Sequence, residues 1–300
     1  MTSPPPPGHL FFLEAGRGTV RTCRPDGTDL RTLASGYQGK TPDGIQVDVE
    51  HGHVYWTCMG TPSGNDGFIE RCDLKDGGNV TTIVPPGKTH TPKQLQLDNV
   101  NKQLYWCDRE GMRVQRCNYD GSSLEILISR GSPASPADET LHCVGIALDL
   151  SRSLFYWSQK GPSKGGKGSI YRAGLQVPKG ETPSNRTDVE TLFSGLPEPI
   201  DLQLDVKKQE LYWTDRGAPP DGNSLNKAQV GENDFVGTYE ILHREFEEAI
   251  GVGLDLKREK AYVADLGGAV YVMKLDGTRE HTVFENAGNG ITGIEFVDDE

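Results

Sequence analysis

The fold is decided by Leu211-Tyr212-Trp213-Thr214-Asp215, a stretch that returns in altered form along the chain. Its aromatic pair recurs every 50 to 56 residues, at Tyr55-Trp56, Tyr105-Trp106, Tyr156-Trp157 and Tyr212-Trp213, and more weakly at Tyr262-Val263. An aspartate stands seven positions before each of these tyrosines, at Asp48, Asp98, Asp149, Asp205 and Asp255. Similarity at a fixed period of this length indicates a repeat architecture.

Each repeat predicts four short antiparallel strands. An alternating run such as Leu202-Gln203-Leu204 precedes the aspartate, the Tyr-Trp run follows it, and two further runs are often joined by Asp-Gly. Asp-Gly between such runs is a strong hairpin signal. Four strands per repeat are typical of a propeller blade. We therefore predict an all-β protein, a six-bladed β-propeller of four-stranded antiparallel blades.

The two ends of the chain are expected to complete one blade together. Residues 10–34 contain signals for three strands only, and the missing inner strand is supplied by Gly293-Ile294-Glu295-Phe296. Such ring closure removes exposed sheet edges. The predicted organisation is a flexible N-terminal segment, residues 1–8, followed by a single propeller domain, residues 9–300.

Composition narrows the classes of function. The 300 residues are 35% hydrophobic and 25% charged, which is typical of a folded globular protein. No run approaches the ~20 apolar residues that a membrane-spanning helix needs. The formal net charge of −12 argues against nucleic acid and anionic membranes as partners. Residues 1–8 lack the features of a signal peptide, so we expect a cytoplasmic protein unless a leader has been trimmed. The oligomeric state is not predicted.

The pentapeptide at residues 211–215 resembles the signature of YWTD propellers, the six-bladed modules of lipoprotein-receptor ectodomains. Leu104-Tyr105-Trp106-Cys107-Asp108 and Val54-Tyr55-Trp56-Thr57 are near matches, and the likeness covers nearly the whole chain. The growth-factor-like module that usually follows in the receptors is not present in the sequence. A free-standing propeller of this kind is also similar to fungal biosynthetic proteins that catalyse hetero-Diels–Alder coupling in tropolone sesquiterpenoid pathways. That resemblance implies a cofactor-independent cyclase of natural-product biosynthesis, acting on small organic substrates.

The cysteines divide into two sets. The first set occupies the same place in three successive repeats, too far apart for disulfides, and is predicted to consist of small buried hydrophobes: Cys23, Cys72 and Cys117. The second set lies near the tops of the blades and allows two alternatives, one disulfide bond or one reactive thiol: Cys58, Cys107 and Cys143. The sequence has no Cys-x-x-Cys motif and no paired histidine spacing, so no metal site is predicted.

The inner strands are expected to line a central channel. The repeated aspartates are interpreted as structural acceptors for backbone N–H groups of the following turn. Strict alternation places the residues two and four positions before each aspartate in the channel. The ring four positions before consists of Gly44, Gln94, Gly145, Asp201, Gly251 and Gly293. Because four of the six are glycines, we predict a cavity of several hundred Å3, the usual scale of a ligand site. If protein side chains fill that mouth, the hypothesis of an enzyme with a pocket on this face fails.

The candidate site residues surround this predicted cavity. Asp201 is a candidate general base, and His90 and His142 are candidate acids, bases or hydrogen-bond donors from the loops. Simple exposure is the alternative for the histidines, and a structural ion pair is the alternative for Asp108 with Arg109. The predicted substrate-binding residues are Gln94, Gly44, Gly145, Gly251, Asp108, Arg109, Arg216, Met59 and Phe68.

Three functions are weighed. The first is an intermolecular hetero-Diels–Alder cycloaddition, which needs orientation rather than a nucleophile or metal, and orientation contributes on the order of 7–11 kcal/mol. The second is a non-catalytic protein-binding module, which would present exposed aromatic residues on a flat rim. The third is a metal-dependent lactone hydrolase, which needs converging carboxylates; only Asp201 and Glu295 qualify.

Overall fold

Six four-stranded antiparallel sheets, the blades, make up the protein in a computed structural model that describes residues 7–132, 138–231, 237–285 and 288–299. The innermost strand of each blade contacts the innermost strands of both neighbouring blades, so the six strands form a closed ring. The helical element in these described ranges is a short 3-10 turn, Glu139–Leu141. The predicted fold class and the number of blades are confirmed.

The strands are numbered in chain order, and blades 2 to 6 each run from the inner strand outward. Blade 1 contains β1 (His9–Glu14), β2 (Thr19–Cys23), β3 (Arg31–Ser35) and, as its inner strand, β24 (Ile291–Val297). Blade 2 contains β4 (Pro42–Asp48), β5 (His53–Cys58), β6 (Phe68–Asp73) and β7 (Thr81–Val84). Blade 3 contains β8 (Pro92–Asp98), β9 (Gln103–Asp108), β10 (Arg113–Asn118) and β11 (Glu125–Ser129).

The remaining three blades follow the same order. Blade 4 contains β12 (Cys143–Asp149), β13 (Leu154–Gln159), β14 (Gly168–Gly174) and β15 (Glu190–Leu196). Blade 5 contains β16 (Pro199–Asp205), β17 (Glu210–Asp215), β18 (Ser224–Gln229) and β19 (Glu240–His243). Blade 6 contains β20 (Ala249–Asp255), β21 (Lys260–Asp265), β22 (Val270–Lys274) and β23 (Arg279–Phe284).

The chain ends close the ring as the sequence predicts. Strand β24 pairs with β1, with Phe296 opposite Leu10 and Ile294 opposite Phe12. The backbone N–H of Gly8 donates to Asp299 Oδ2 at 2.9 Å, which adds a side-chain contact to the same junction. Of the segment predicted to be flexible, residues 1–6 lie outside the described residues.

The hydrophobic core lies between the blades. The four tryptophans of the Tyr-Trp pairs are 0% exposed, and Trp56, for example, packs in a cluster with Leu13, Val20 and Leu33 of the preceding blade. Full burial of such a side chain contributes roughly 1.5–3 kcal/mol. In blades 2 to 5 the aromatic pair therefore contributes the largest buried side chains of the core between neighbouring blades.

The cysteines are all buried and free. The prediction for Cys23, Cys72 and Cys117 as buried hydrophobes is confirmed, and burial raises the pKa of each of these thiols to about 12. No bridge joins the second set, Cys58, Cys107 and Cys143, all of which lie in described strands. Since burial also raises their thiol pKa values, these groups are not thiolates at neutral pH.

The repeated aspartates hold the turn after each inner strand. Asp48 Oδ1 accepts the N–H of His51 at 3.1 Å, and Asp98 Oδ1 accepts the N–H of Asn101 at 2.8 Å. Asp149, Asp205 and Asp255 make the equivalent bonds. The structural interpretation of these aspartates is confirmed.

A β-bulge interrupts every inner strand and overturns the strict alternation assumed for the channel. In blade 2, Pro42 lies opposite Cys58 and Ile45 lies opposite Trp56, so three steps along β4 face two along β5. The same break in register occurs in the other five inner strands. One extra residue moves the following side chains to the opposite face. Beyond the bulge, the residue five positions before the aspartate therefore turns toward the axis.

The inner-strand glycines lie against a neighbouring strand. A Cβ at Gly145 would stand 2.0 Å from the carbonyl oxygen of Ile200, and a Cβ at Gly251 would stand 2.2 Å from that of Thr292. Gly44 meets the backbone of the next blade in the same way, with 2.6 Å to the nearest carbonyl oxygen. The prediction of a glycine-lined cavity is wrong, because the missing side chains admit the backbone of the adjacent inner strand.

The fourth residue of the pentapeptide links neighbouring blades through its hydroxyl group. Thr57 Oγ1 accepts the N–H of Gly44 at 2.9 Å and donates to the carbonyl of Lys93 in the next blade at 2.8 Å. Thr214 and Ser158 make the same pair of bonds in blades 5 and 4. A hydroxyl at this position therefore satisfies backbone groups that the bulge leaves unpaired.

Candidate functional site

Three basic side chains form an arc on the upper face, the face on which the inner strands begin. Arg109, Lys160 and Arg216 directly follow the second strands of blades 3, 4 and 5. Their backbone N–H groups donate to the loops that enter the inner strands, with N···O distances of 3.0, 3.2 and 3.1 Å. The same backbone bond recurs in each blade, so the scaffold fixes where these residues start. We call these three residues the basic arc.

Carboxylates are interleaved with the basic arc. Lys160 Nζ lies 3.4 Å from Glu198 Oε1, and Arg216 Nε lies 3.3 Å from the same oxygen. Arg216 also reaches Glu248 at 3.4 Å. The Glu198 side chain is fully buried, whereas those of Arg216 and Glu248 are 24% and 29% exposed. A partly exposed pair of this kind contributes only about 0–1 kcal/mol, so the rim can open at low energy.

His142 lies inside this arc and has an unused ring nitrogen. The residue is 7% exposed, and its Nδ1 is buried without a hydrogen-bond partner among the described residues. Burial lowers the pKa of His142; Glu110 opposes the shift, and Lys160 and Arg109 reinforce it. The imidazole is therefore neutral at pH 7, with one N–H donor and one acceptor.

Arg109 is positioned by its neighbour Glu110. Arg109 Nε donates to Glu110 Oε1 at 2.7 Å, and the Thr91 hydroxyl donates to the other carboxylate oxygen. Burial would raise the pKa of Glu110, but these two hydrogen bonds and the Arg109 charge hold it below its usual value. The guanidinium is thus held on the histidine side of the mouth.

The floor beneath the mouth has an apolar half and a charged half. Val144, Ile200 and Ile250, from blades 4, 5 and 6, form one buried cluster five positions before the repeated aspartates. Asp43 and Lys93 occupy the same position in blades 2 and 3 and form a buried ion pair. These side chains, turned inward by the bulges, occupy the axial opening.

Two predicted residues support the charged half of the floor. Gln94 Nε2 donates to Asp43 Oδ1 at 3.2 Å, and Met59 Sδ lies 3.6 Å from Lys93 Nζ. Burial lowers the pKa of Lys93, with Asp43 opposing the shift. Gln94 therefore contacts Asp43 rather than projecting alone into a cavity.

Other predicted residues serve the scaffold instead of the mouth. His90 Nε2 lies 2.6 Å from the carbonyl of Pro62 and joins the loops of blades 2 and 3. Asp108 is fully buried, accepts the N–H of His90 at 2.8 Å and pairs with Arg113 at 2.9 Å. Asp108 therefore forms a structural ion pair, but its partner is Arg113 and not Arg109. Phe68 packs against the core cluster between blades 1 and 2.

Asp201 and Glu295 lie deeper in the channel. Asp201 accepts the N–H groups of Leu202 and Val252 at 2.9 and 3.0 Å, so its carboxyl group bridges blades 5 and 6. Burial raises the pKa of Asp201 to about 8 despite these two bonds. Burial and the Asp201 charge raise the pKa of Glu295 to about 8 as well. Asp201 does not reach the mouth, because it is 3% exposed and hydrogen-bonded on both oxygens.

Two parts of the mouth were not predicted from the sequence, namely Lys160 and the inward-facing pair Asp43 and Lys93. Lys160 follows Gln159 at the place where Arg109 follows Asp108, so alignment of the repeats alone identifies it. The inward position of Asp43 and Lys93 depends on the bulge, for which the only sequence signal is the run of inner-strand glycines.

The described residues form neither a metal-ion cluster nor a membrane-spanning helix. Across residues 7–132, 138–231, 237–285 and 288–299, no three His, Cys, Asp or Glu side chains converge in a way that can hold a metal ion. Within the same ranges, no helix has the length and apolar character needed to cross a membrane.

Comparison with known proteins identifies the family. The chain is 44% identical over 292 residues to low-density lipoprotein receptor-related protein 1 of Pyricularia oryzae, covering 93% of this chain and 92% of that protein. The chain belongs to the YWTD β-propeller family. It is also 40% identical over 267 residues to the 3-hydroxyacyl-CoA dehydrogenase-like protein LAM1 of Cochliobolus heterostrophus, covering 85% of this chain but 56% of that relative. No model of a protein family matches the sequence.

Solved structures agree on the fold of this YWTD propeller. A chain in the crystal structure of a nidogen–laminin complex superposes with a TM-score of 0.75, covering 96% of this chain and 98% of that one at 19% sequence identity. At that identity the likeness concerns the fold alone. The two relatives named above are both from fungi, and the nidogen–laminin chain shares the architecture.

Proposed function

We propose that this YWTD propeller is a small-molecule enzyme of natural-product biosynthesis that works at the upper mouth. The reaction proposed is an intermolecular hetero-Diels–Alder cycloaddition between two organic substrates. The observation that supports it is the basic arc with His142, a set of hydrogen-bond donors from three consecutive blades above the apolar floor of Val144, Ile200 and Ile250.

The chemistry matches what these residues offer. A conjugated carbonyl compound and an alkene react so that three π bonds are converted into two σ bonds and one new π bond, and every atom of both substrates stays in the product. No proton, electron or leaving group has to be transferred, so the site needs neither a nucleophile nor a general base. Donors aimed at the carbonyl oxygen polarise the heterodiene, and an apolar surface beside them holds the alkene. His142 and the basic arc would supply the donors.

Substrate entry requires the rim to move. The axial opening is occupied by side chains, so an enzyme that holds its substrate inside that opening is ruled out. The site proposed here lies above the floor instead. The Arg216–Glu248 contact is the most exposed part of the rim described here. Its separation costs about 0–1 kcal/mol, which is less than the binding free energy of a micromolar ligand, about 8 kcal/mol.

The test is a stereochemical assay with purified protein. An α,β-unsaturated carbonyl compound is incubated with a cyclic polyene terpene, and the adduct is separated by chiral chromatography. We expect one enantiomer to form faster than the uncatalysed background, and Arg109→Gln and His142→Gln to lower that excess rate at least tenfold. The matched control is Lys208→Gln, which removes an exposed charge that pairs with Glu259 at 3.3 Å, far from the mouth. A racemic adduct at the background rate, from folded protein, argues against the proposal.

A protein-binding module is the second candidate, favoured by the filled mouth. Most side chains there are already paired within the chain, as in a surface that meets another protein without admitting a substrate. The names of the receptor-related relative and the laminin complex belong to those proteins, but they make this class of function reasonable for the present chain. Under this candidate, Glu248→Lys weakens capture of the partner and no variant of the mouth alters the stereochemistry of the adduct.

A further inference from the structure

A second candidate site lies on the lower face, between blades 2 and 3. A cavity of about 360 Å3 opens there, away from the upper mouth. Its walls carry four rings and two cationic side chains: His51, His53, Tyr55, Tyr119, Arg71 and Lys102. The proposed function at the upper face uses none of these residues.

The equivalent arginines in the next two blades are fully engaged. Arg116 lies opposite Tyr105 on one side and Glu125 on the other. It forms an ion pair with Glu125 and donates to the carbonyl of Leu175 in the following blade at 2.9 Å. At this register, an arginine therefore locks its own outer strand to the next blade.

Arg172 in blade 4 repeats the arrangement. It lies opposite Tyr156 and Glu190, donates to Glu190 Oε2 at 2.6 Å and donates to the carbonyl of Val230 at 2.8 Å. Two independent copies thus define the structural role of the position: one carboxylate and one inter-blade carbonyl per arginine.

Arg71 departs from this pattern. It lies opposite Tyr55 in β5, at the same register, but its outer-strand neighbour is Thr81, where blades 3 and 4 carry glutamate. Within the described residues, the Arg71 guanidinium has no carboxylate or carbonyl within hydrogen-bond distance, although it is only partly exposed. Blade 2 has lost the internal anion and kept the cation.

The rings beside Arg71 form a continuous aromatic wall. The centroids of Tyr55 and Tyr119 are 5.4 Å apart, and those of His53 and Tyr55 are 6.1 Å apart in an edge-on arrangement. His53 Nδ1 is buried and has no hydrogen-bond partner in the described part of the chain. Asp48 pairs with His51 at 2.8 Å. Asp120 lines the open edge of the cavity and accepts from Ser122 at 2.6 Å, and within the described residues it forms no ion pair with Arg71.

We propose that this groove binds a planar aromatic carboxylate, whose anionic group takes the place of the missing glutamate on Arg71. A guanidinium fork matches a carboxylate with two parallel hydrogen bonds. An aromatic ring carried by that carboxylate lies against Tyr119 and His53, which are partly exposed, and offset stacking there adds to apolar burial. Tyr55 is 1% exposed and supports these two rings from behind. Lys102, at the open edge of the groove, adds positive charge and attracts anions.

The test measures binding of 2-naphthoate to the full chain by isothermal titration calorimetry. The comparison ligands are 2-naphthalenemethanol, which has the ring without the charge, and inorganic phosphate, which has charge without the ring. We expect naphthoate to bind at least tenfold more tightly than either. Equal binding of the neutral alcohol, equal binding of phosphate, or no naphthoate binding at millimolar concentration overturns the proposal.

Three variants locate the binding. Arg71→Gln is expected to weaken naphthoate at least tenfold and leave the melting temperature unchanged, because Arg71 has no partner to lose. Thr81→Glu restores the internal carboxylate and is expected to displace naphthoate to the same extent. Arg172→Gln is the matched control: it lowers the melting temperature and leaves naphthoate affinity within twofold. Wild-type affinity in both Arg71→Gln and Thr81→Glu would place the ligand elsewhere and refute the assignment.

Discussion

Replacing Glu295 by glutamine tests how the channel is charged. Glu295 lies half-buried on the inner strand β24, and its carboxylate accepts one hydrogen bond, from Gln46 Nε2 at 2.9 Å. Burial and the neighbouring Asp201 raise the pKa of the Glu295 carboxyl group from 4.5 to about 8. The folded protein therefore holds a proton there at neutral pH, while the unfolded chain has released it.

The sign of the effect follows from proton linkage. Between pH 4.5 and about 8 the folded state binds more protons at this site than the unfolded state, so the free energy of unfolding decreases as the pH rises. The rise of the pKa from 4.5 to about 8 sets an upper limit of about 5 kcal/mol above pH 8, and the partial solvent exposure of Glu295 reduces the penalty below that limit. Glutamine has the shape of the protonated acid and removes this penalty.

The assay is denaturant unfolding followed by tryptophan fluorescence, at pH 5 and at pH 9. We expect Glu295→Gln and the wild type to agree within about 1 kcal/mol at pH 5, and the variant to be more stable by about 2–5 kcal/mol at pH 9. Glu259→Gln, at a side chain that is 71% exposed, is the control and is expected to show no such pH dependence. A variant that is equally stable to wild type at pH 9, or less stable, would refute the reasoning.

Two further predictions concern the scaffold, and both are checked by the same unfolding assay. Gly145→Ala is expected to lower the free energy of unfolding by about 1–3 kcal/mol, because the added Cβ would stand 2.0 Å from the Ile200 carbonyl oxygen. Gly174→Ala is the control, since its Cβ would stand 3.1 Å from a side-chain carboxylate. Similar losses in the two variants would contradict this explanation of the inner-strand glycines. Asp108→Ala is expected to remove more than about 3 kcal/mol and Asp205→Ala about 1–2 kcal/mol, because Asp108 binds backbone and Arg113 together; the reverse order would show that Asp108 is not structural.

The fold was predictable because the residues that stabilise each blade recur at fixed positions within every repeat. The Tyr-Trp pair fills the space between blades, and the aspartate seven positions earlier binds the turn that joins the first two strands. Both requirements return with every repeat, so five weak signals at one offset act as a single strong one. The closing strand was predictable for the same reason, since Ile294 and Phe296 match the apolar positions of the other inner strands.

The channel was not predictable by alternation, because a bulge is a change in register that residue polarity does not record. Counting in steps of two placed Asp201 at the open mouth, whereas the extra residue near Asp43 and Gly44 turns position five inward instead. Glycine at this position in four of the six inner strands led to the prediction of a cavity. The same glycines are explained by the bulged backbone of one strand touching the next, at 2.0 to 2.6 Å from an added Cβ.

The rim of the mouth is asymmetric, with basic side chains on one side and apolar side chains on the other. The position of the basic arc is filled by Arg109, Lys160 and Arg216 in blades 3 to 5, but by Leu266 in blade 6 and Ala15 in blade 1. Repetition explains why each of these residues starts at the same point on the rim, and it does not explain why one side is basic and the other apolar. A substrate with a carbonyl at one end and a hydrocarbon frame at the other has one favourable orientation across such a mouth. Because orientation is the main requirement of a cycloaddition, Leu266→Lys, which makes the apolar side basic, is expected to reduce stereoselectivity before it reduces binding.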